Sequence, residues 1–142
     1  MTVVDFYSNV PDKQSLINDL IAGALKKQRL VTLFAKDAAT AEQMSLEIWQ
    51  ASETSFLPNL LANHTHVQHV SVQIAWQPSQ VLQDDLLINC QSEQMTFFSR
   101  FKQLAEIVGS EDVDKQSARA RYKFYRDRGY EIKHTDFAKN SL

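Results

Sequence analysis

The six residues LVTLFA, Leu30 to Ala35, form a nearly continuous apolar run, and their reading decides the fold. A parallel strand buried on both faces has this pattern, whereas a strand with one wet face alternates. Upstream, from Lys13 to Gln28, the apolar residues Leu16, Ile17, Leu20, Ile21, Ala24 and Leu25 recur at helical spacing and predict an amphipathic helix. Downstream, Asp37 is placed to cap a second helix, in which Ala38, Ala41, Met44, Ile48, Trp49 and Ala51 keep the period. Val3 to Tyr7, at the start, is a short β-favouring run closed by the turn formers Ser8-Asn9-Val10-Pro11-Asp12. Strand, helix, strand, helix predicts a parallel sheet with right-handed crossovers.

The rest of the chain extends that pattern. "SFLPNLLANHTHVQH", Ser55 to His69, reads as a loop interrupted by Pro58. Val70, Val72, Ile74 and Trp76 alternate with polar residues and predict another strand. "LLINC", Leu86 to Cys90, predicts a short buried strand after the turn Gln83-Asp84-Asp85. Thr96 to Val108 fits a helical period, yet its end from Leu104 fits a strand equally well. Asp112 to Arg128 is helical in composition, Gly129 stands where a helix-ending glycine would, and "YEIKH" is a final extended piece. The expected fold is α/β: one domain, residues 1–142, with a mostly parallel, Rossmann-like central sheet flanked by helices.

Bulk properties agree with an ordinary globular domain. The chain has 142 residues, 44% of them hydrophobic and 23% charged, enough to bury a core. Three glycines and three prolines leave no low-complexity linker. A single cysteine, Cys90, excludes an internal disulfide and fits a reducing compartment. "MTVVDFYSNVPDK" lacks the pattern of a secretory signal, and no segment has the roughly 20 apolar residues of a membrane helix. A cytoplasmic protein is expected.

One stretch departs from the average. "DKQSARARYKFYRDRG", Asp114 to Gly129, sets six cations against two acids, so it carries +4 in a chain of net charge −2 and leaves −6 for the remainder. On a helix, Lys115, Arg119, Tyr122 and Arg126 form one stripe, with Ala118 and Tyr125 beside it facing the sheet. Cations at the rim of an aromatic floor suit a ligand that has both a negative group and an apolar side chain. The plainer reading is a solvated helix face whose aromatics belong to the core. Single-stranded nucleic acid is the other functional reading, but the acidic remainder of the chain argues against it.

"KQSARARYKFYRDRGY", Lys115 to Tyr130, resembles the signature of the chi subunit of bacterial DNA polymerase III. The likeness runs through "VDFYSN", "EIWQ", "SFLPNLL", "VQIAW" and "DDLLIN", which with that signature make six pieces in order over nearly the whole chain. The resemblance implies a non-catalytic accessory of the clamp loader. It also implies two partners: the psi subunit, and the acidic C-terminal tail of single-stranded-DNA-binding protein, which ends in a phenylalanine with a free carboxylate. The tail-binding positions fall on Lys115, Arg119 and Tyr122, with Lys123 and Arg126 close by. DNA would be contacted only indirectly or weakly, in the bacterial cytoplasm. The resemblance further implies that Gln103 to Val108 is the last central strand. Ser117 and Ala120 depart from the family's leucine and glutamate, a difference expected to alter the pocket's shape and local charge while sparing the cations.

Trp49, Phe56, Leu57, Pro58, Leu60 and Leu61 cluster at a helix end and loop. Large apolar residues there form either a satellite core or a docking patch. The resemblance places psi on this surface, with Trp49, Phe56, Leu57 and Pro58 as its interface.

Other chemistry is less well supported. His64, His66 and His69 invite zinc, but no cysteine or carboxylate stands nearby at ligand spacing, and no metal is expected. The turn "SNVPDKQ" has no glycine, and no GxxxxGK[ST] occurs, so no nucleotide or other cofactor is expected. Asp5, Asp37, Asp84 and Asp85, if gathered at strand ends, would make a metal-dependent phosphoryl-transfer enzyme. Turn acids and helix caps explain them more simply. No spacing indicates a Ser-His-Asp or Cys-His arrangement.

Overall fold

The computed structural model describes residues 1–50, 59–61 and 70–140. Their strands are β1 (Val3–Val10), β2 (Val31–Phe34), β3 (Asn59–Leu61), β4 (Val72–Ala75), β5 (Leu86–Asn89), β6 (Gln103–Gly109) and β7 (Glu131–Asp136). They form one seven-stranded sheet in the order β3-β4-β2-β5-β6-β1-β7, and every pairing is parallel. Parallel neighbours need long crossovers. The helices α1 (Lys13–Lys26), α2 (Ala38–Gln50) and α3 (Asp112–Asp127) supply three of them, and a short α4 (Phe137–Asn140) follows β7.

Two cores sandwich the sheet. On one face Ile17, Ile21 and Ala24 of α1 and Ala41, Met44 and Ile48 of α2 pack on Val31, Leu33, Ile74, Ile88 and Ile107. On the other, Ala118 and Tyr125 of α3 pack with Val4, Phe6, Leu87, Phe98, Leu104 and Val108. Strand alternation sorts the residues: along β6, Leu104 and Val108 turn toward α3 while Ala105 and Ile107 turn away. β2, β4 and β5 are buried at all four positions, as expected of inner parallel strands.

Several boundaries differ from expectation. β1 continues through Ser8, Asn9 and Val10, where a turn was expected, because it is held on both sides by β6 and β7. Its register against β6 slips between Tyr7 and Val10, and Asn9 there has φ +53°, a value that asparagine tolerates. The expected loop from Ser55 contains β3, which pairs with β4. Gln73 lies within the alternating pattern of β4 yet is buried, because that strand is covered on both faces. Gln103–Gly109 is strand throughout, which settles the ambiguity there in favour of the strand reading.

Candidate functional site

The site is built on α3, so what places α3 comes first. Asp112 and Asp114 stand in its first turn and Arg126 in its last, matching the helix dipole. Its end is a Schellman turn: the Tyr130 N–H donates to Tyr125 O at 3.1 Å and the Gly129 N–H to Arg126 O at 3.0 Å. Gly129 sits at φ +80°, where a side chain would be strained. At the other end the Gly109 N–H donates to Asp114 Oδ2 at 3.2 Å, and a Cβ on Gly109 would meet that oxygen at 2.9 Å. Lys13 of α1 pairs with the same carboxylate. Partial burial opposes ionisation of Asp114, but the hydrogen bond and charge of Lys13 with the Gly109 N–H outweigh it, and the carboxyl is held below its ordinary range.

The underside of α3 is locked by a buried polar network. Arg121 Nε donates to Glu106 Oε1 at 3.2 Å, Tyr125 Oη donates to Glu106 Oε2 at 2.5 Å, and Asn89 Nδ2 donates to Oε1 at 3.0 Å. Arg121 also donates to Ser92 O at 2.5 Å and to Ser117 Oγ at 2.9 Å. Burial pushes the Glu106 carboxyl up, while Arg121, Tyr125 and Asn89 pull it back in part. Among the described residues no buried side-chain polar atom lacks a partner.

With α3 fixed, its flank toward β1 and β7 borders a pocket of about 470 Å³. Lys115, Arg119 and Tyr122 line it from the helix, and Phe6, Val108 and Ala118 form the apolar floor. Phe6 meets Tyr122 edge to face with centroids 5.2 Å apart. His134 of β7 completes a ring triad, 6.2 Å from each of the other two. Ser8 and Asn9 close the pocket at the carboxyl end of β1. Among the described residues neither Lys115 nor Arg119 is ion-paired. The arrangement offers uncommitted positive charge over an aromatic floor.

The helix stripe is therefore brought together only in part. Lys115, Arg119 and Tyr122 converge on the pocket, whereas Arg126 and Lys123 are exposed outside its lining. Arg126 stands 3.6 Å from Asp127, and Arg128 stacks on Phe124 at 4.1 Å. Arg121, one of the six cations, is a buried structural group rather than a surface charge. Ser117 lies on the opposite flank and serves Arg121, and Ala120 is exposed, so neither departure from the family pattern reshapes this pocket. Phe6, Ser8, Asn9, Val108 and His134 went unrecognised in the sequence. The signal that reaches them is the parallel pairing of β1 with β7, which sets Phe6 opposite His134.

Of the docking patch, Trp49 lies in the last turn of α2 and Leu61 is half-buried against the core. Phe56, Leu57 and Pro58 lie outside the described residues, as do His64, His66 and His69.

The four aspartates do not converge. Asp84 and Asp85 precede β5 at the amino edge of the sheet, while Asp37 follows β2 at the carboxyl edge. Asp37 accepts from the Thr40 N–H at 2.8 Å, Asp85 holds Arg29 at 2.8 Å, and Asp5 accepts from Gln103. Among the described residues no three His, Cys, Asp or Glu side chains are grouped to hold a metal ion. A second cavity of about 430 Å³ lies on the other flank of α3, bordered by Lys13, Lys36, Thr40, Cys90 and Arg121. Burial, with the nearby Glu106 charge, pushes the Cys90 thiol up to about 12, which makes it a poor nucleophile at neutral pH. Among the described residues no helix is long and apolar enough to cross a membrane.

Comparison with known proteins covers nearly the same span as the fold. The family described as DNA polymerase III chi subunit, HolC, matches residues 1–133. The chain is 30% identical over 136 residues to DNA polymerase III subunit chi of Pseudomonas aeruginosa, covering 93% of this chain and 94% of that one. It is 30% identical over 132 residues to the Escherichia coli subunit, covering 92% and 88%. With the Haemophilus influenzae subunit it shares 30% identity over 115 residues, 80% of each chain. A parallel α/β domain whose basic helix α3 flanks an aromatic pocket thus belongs to the chi-subunit family of DNA polymerase III, a family of replication proteins.

Proposed function

We propose that the chain is a non-catalytic accessory subunit that bridges the clamp loader, through psi, to the acidic C-terminal tail of single-stranded-DNA-binding protein in the bacterial cytoplasm. The observation that carries this reading is the pairing, in one pocket, of uncommitted Lys115 and Arg119 with the Phe6 and Tyr122 rings. A tail ending in phenylalanine places its ring against that floor and its terminal carboxylate under Arg119. Lys115 takes a preceding aspartate. Charge-assisted bonds to a partly desolvated carboxylate contribute about 1.5–3 kcal/mol each. Lys123 and Arg126 stand outside the lining and act through longer-range attraction. In this reading Trp49, Phe56, Leu57 and Pro58 form the psi interface, a set of residues distinct from the tail-binding ones, and one chain holds both partners.

Titration of the protein onto single-stranded DNA coated with intact or tail-truncated binding protein tests the reading. Binding should require the tail. Equal affinity for both coatings would instead make the basic helix a nucleic-acid surface.

A further inference from the structure

The pocket has one imidazole among its lining side chains, and it does not come from the basic helix. His134 projects from β7, the edge strand, onto the face shared with Phe6 and Ser8. Its Nε2 lies 2.7 Å from Ser8 Oγ, and its ring stands edge to face with both Phe6 and Tyr122. We propose that His134 is a ligand-contacting residue of this pocket and that its protonation tightens capture of an acidic, aromatic-ended peptide. The inference rests on the tail-binding reading of the pocket and extends it to a third wall.

The surroundings of His134 explain the coupling. From α3 it faces Lys115, Arg119 and Tyr122; from β1, Phe6, Ser8 and Asn9; from β6, Val108. The acid beside it on the same face of β7, Asp136, accepts from Asn9 Nδ2 at 2.8 Å and from the Ala138 N–H at 2.9 Å. Glu106, two residues before Val108 on β6, is buried and held by Arg121 and Tyr125. A proton on His134 thus joins two cations at the pocket mouth, and the carboxylates that compensate it best are those of an incoming peptide. The Ser8 hydroxyl both donates and accepts, so its bond to Nε2 survives either protonation state of the ring. Imidazoles change charge between about pH 5 and 8. The peptide's own carboxylates stay ionised over that interval. A ligand that favours the charged ring takes up a proton on binding, so affinity rises as pH falls.

The test is calorimetry with an acetylated aspartate-rich peptide ending in Phe with a free carboxylate, at pH 7.8 and 5.8 and one ionic strength. Wild-type protein should bind about three- to tenfold more tightly at pH 5.8. His134→Gln, whose amide keeps a bond to Ser8, should bind with the same affinity at both. In wild-type protein the titration of the His134 Cε1–H resonance should move to higher pH when peptide is present. An equal gain in His134→Gln, or an unmoved resonance, overturns the role of His134 while leaving the tail pocket standing. Absence of peptide binding at either pH overturns the tail pocket itself, and this inference with it.

Discussion

Arg121 Nε donates to Glu106 Oε1 at 3.2 Å, and both side chains are sealed between α3 and the sheet. This pair converts one cation of a basic helix into its anchor. The anchor sets the helix rotation, and the rotation delivers Lys115, Arg119 and Tyr122 to the flank above β1 and β7.

Removing one member of a buried ion pair leaves an uncompensated buried charge. Arg121→Ala should therefore destabilise the fold by about 3–5 kcal/mol. Lys123→Ala, at an exposed position of the same helix, should stay within about 0.5 kcal/mol of wild type. Urea denaturation of the two variants measures the difference. Equal midpoints would mean that Arg121 is a surface charge after all.

The layering of the fold was legible because inner parallel strands announce themselves as apolar runs: Val31–Phe34 and Leu86–Asn89 are strands where such runs stand. The extension of β1 was not legible. Ser8 and Asn9 favour turns locally, and only pairing with β7 at Ser8 and with β6 at Val10, both far along the chain, carries the strand through them. On α3 the 3.6-residue period placed Lys115, Arg119 and Tyr122 on one stripe, and that stripe reaches the pocket as far as Tyr122. Composition could not separate Arg121 from its exposed neighbours, because its distinction is a partner on another element. Phe6 and His134 were hidden for the same reason: they meet only through strand register.

Part of the acid dependence of stability follows from Asp85. Partial burial alone would raise its pKa, but hydrogen bonds from Arg29 and the Leu30 N–H, with the Arg29 charge, outweigh it and hold the carboxyl below the ordinary range. Its folded pKa therefore lies below the unfolded one. The stability it contributes is fully present above the unfolded value, near 3.9, and is lost as pH falls through the folded one. Arg29→Met should cost about 1–2 kcal/mol at pH 7 and flatten the loss of stability below about pH 4. Thermal melts at stepped pH check this, and an unchanged acid slope would contradict it.

The second surface predicts a separable defect. Trp49→Ala should weaken psi binding by about 2–4 kcal/mol, the scale of an aromatic anchor at an interface centre, while the isolated chain stays folded. Tail binding should be unaffected. Unfolding of the isolated Trp49→Ala chain, with normal psi binding by the folded fraction, would assign Trp49 to a satellite core instead.

The central claim is that Arg119 and Lys115 hold a free carboxylate and an acidic residue over the Phe6–Tyr122 floor. Calorimetry at pH 7.5 with an acidic peptide ending in Phe, as free acid and as C-terminal amide, tests it most directly. Wild-type protein should prefer the free acid, and added salt should weaken binding, since these pairs are partly exposed. Arg119→Ala should weaken binding of the free acid about ten- to a hundredfold and remove most of its preference over the amide. Equal affinity of wild-type protein for acid and amide, with Arg119→Ala no weaker than Lys123→Ala, would contradict the account.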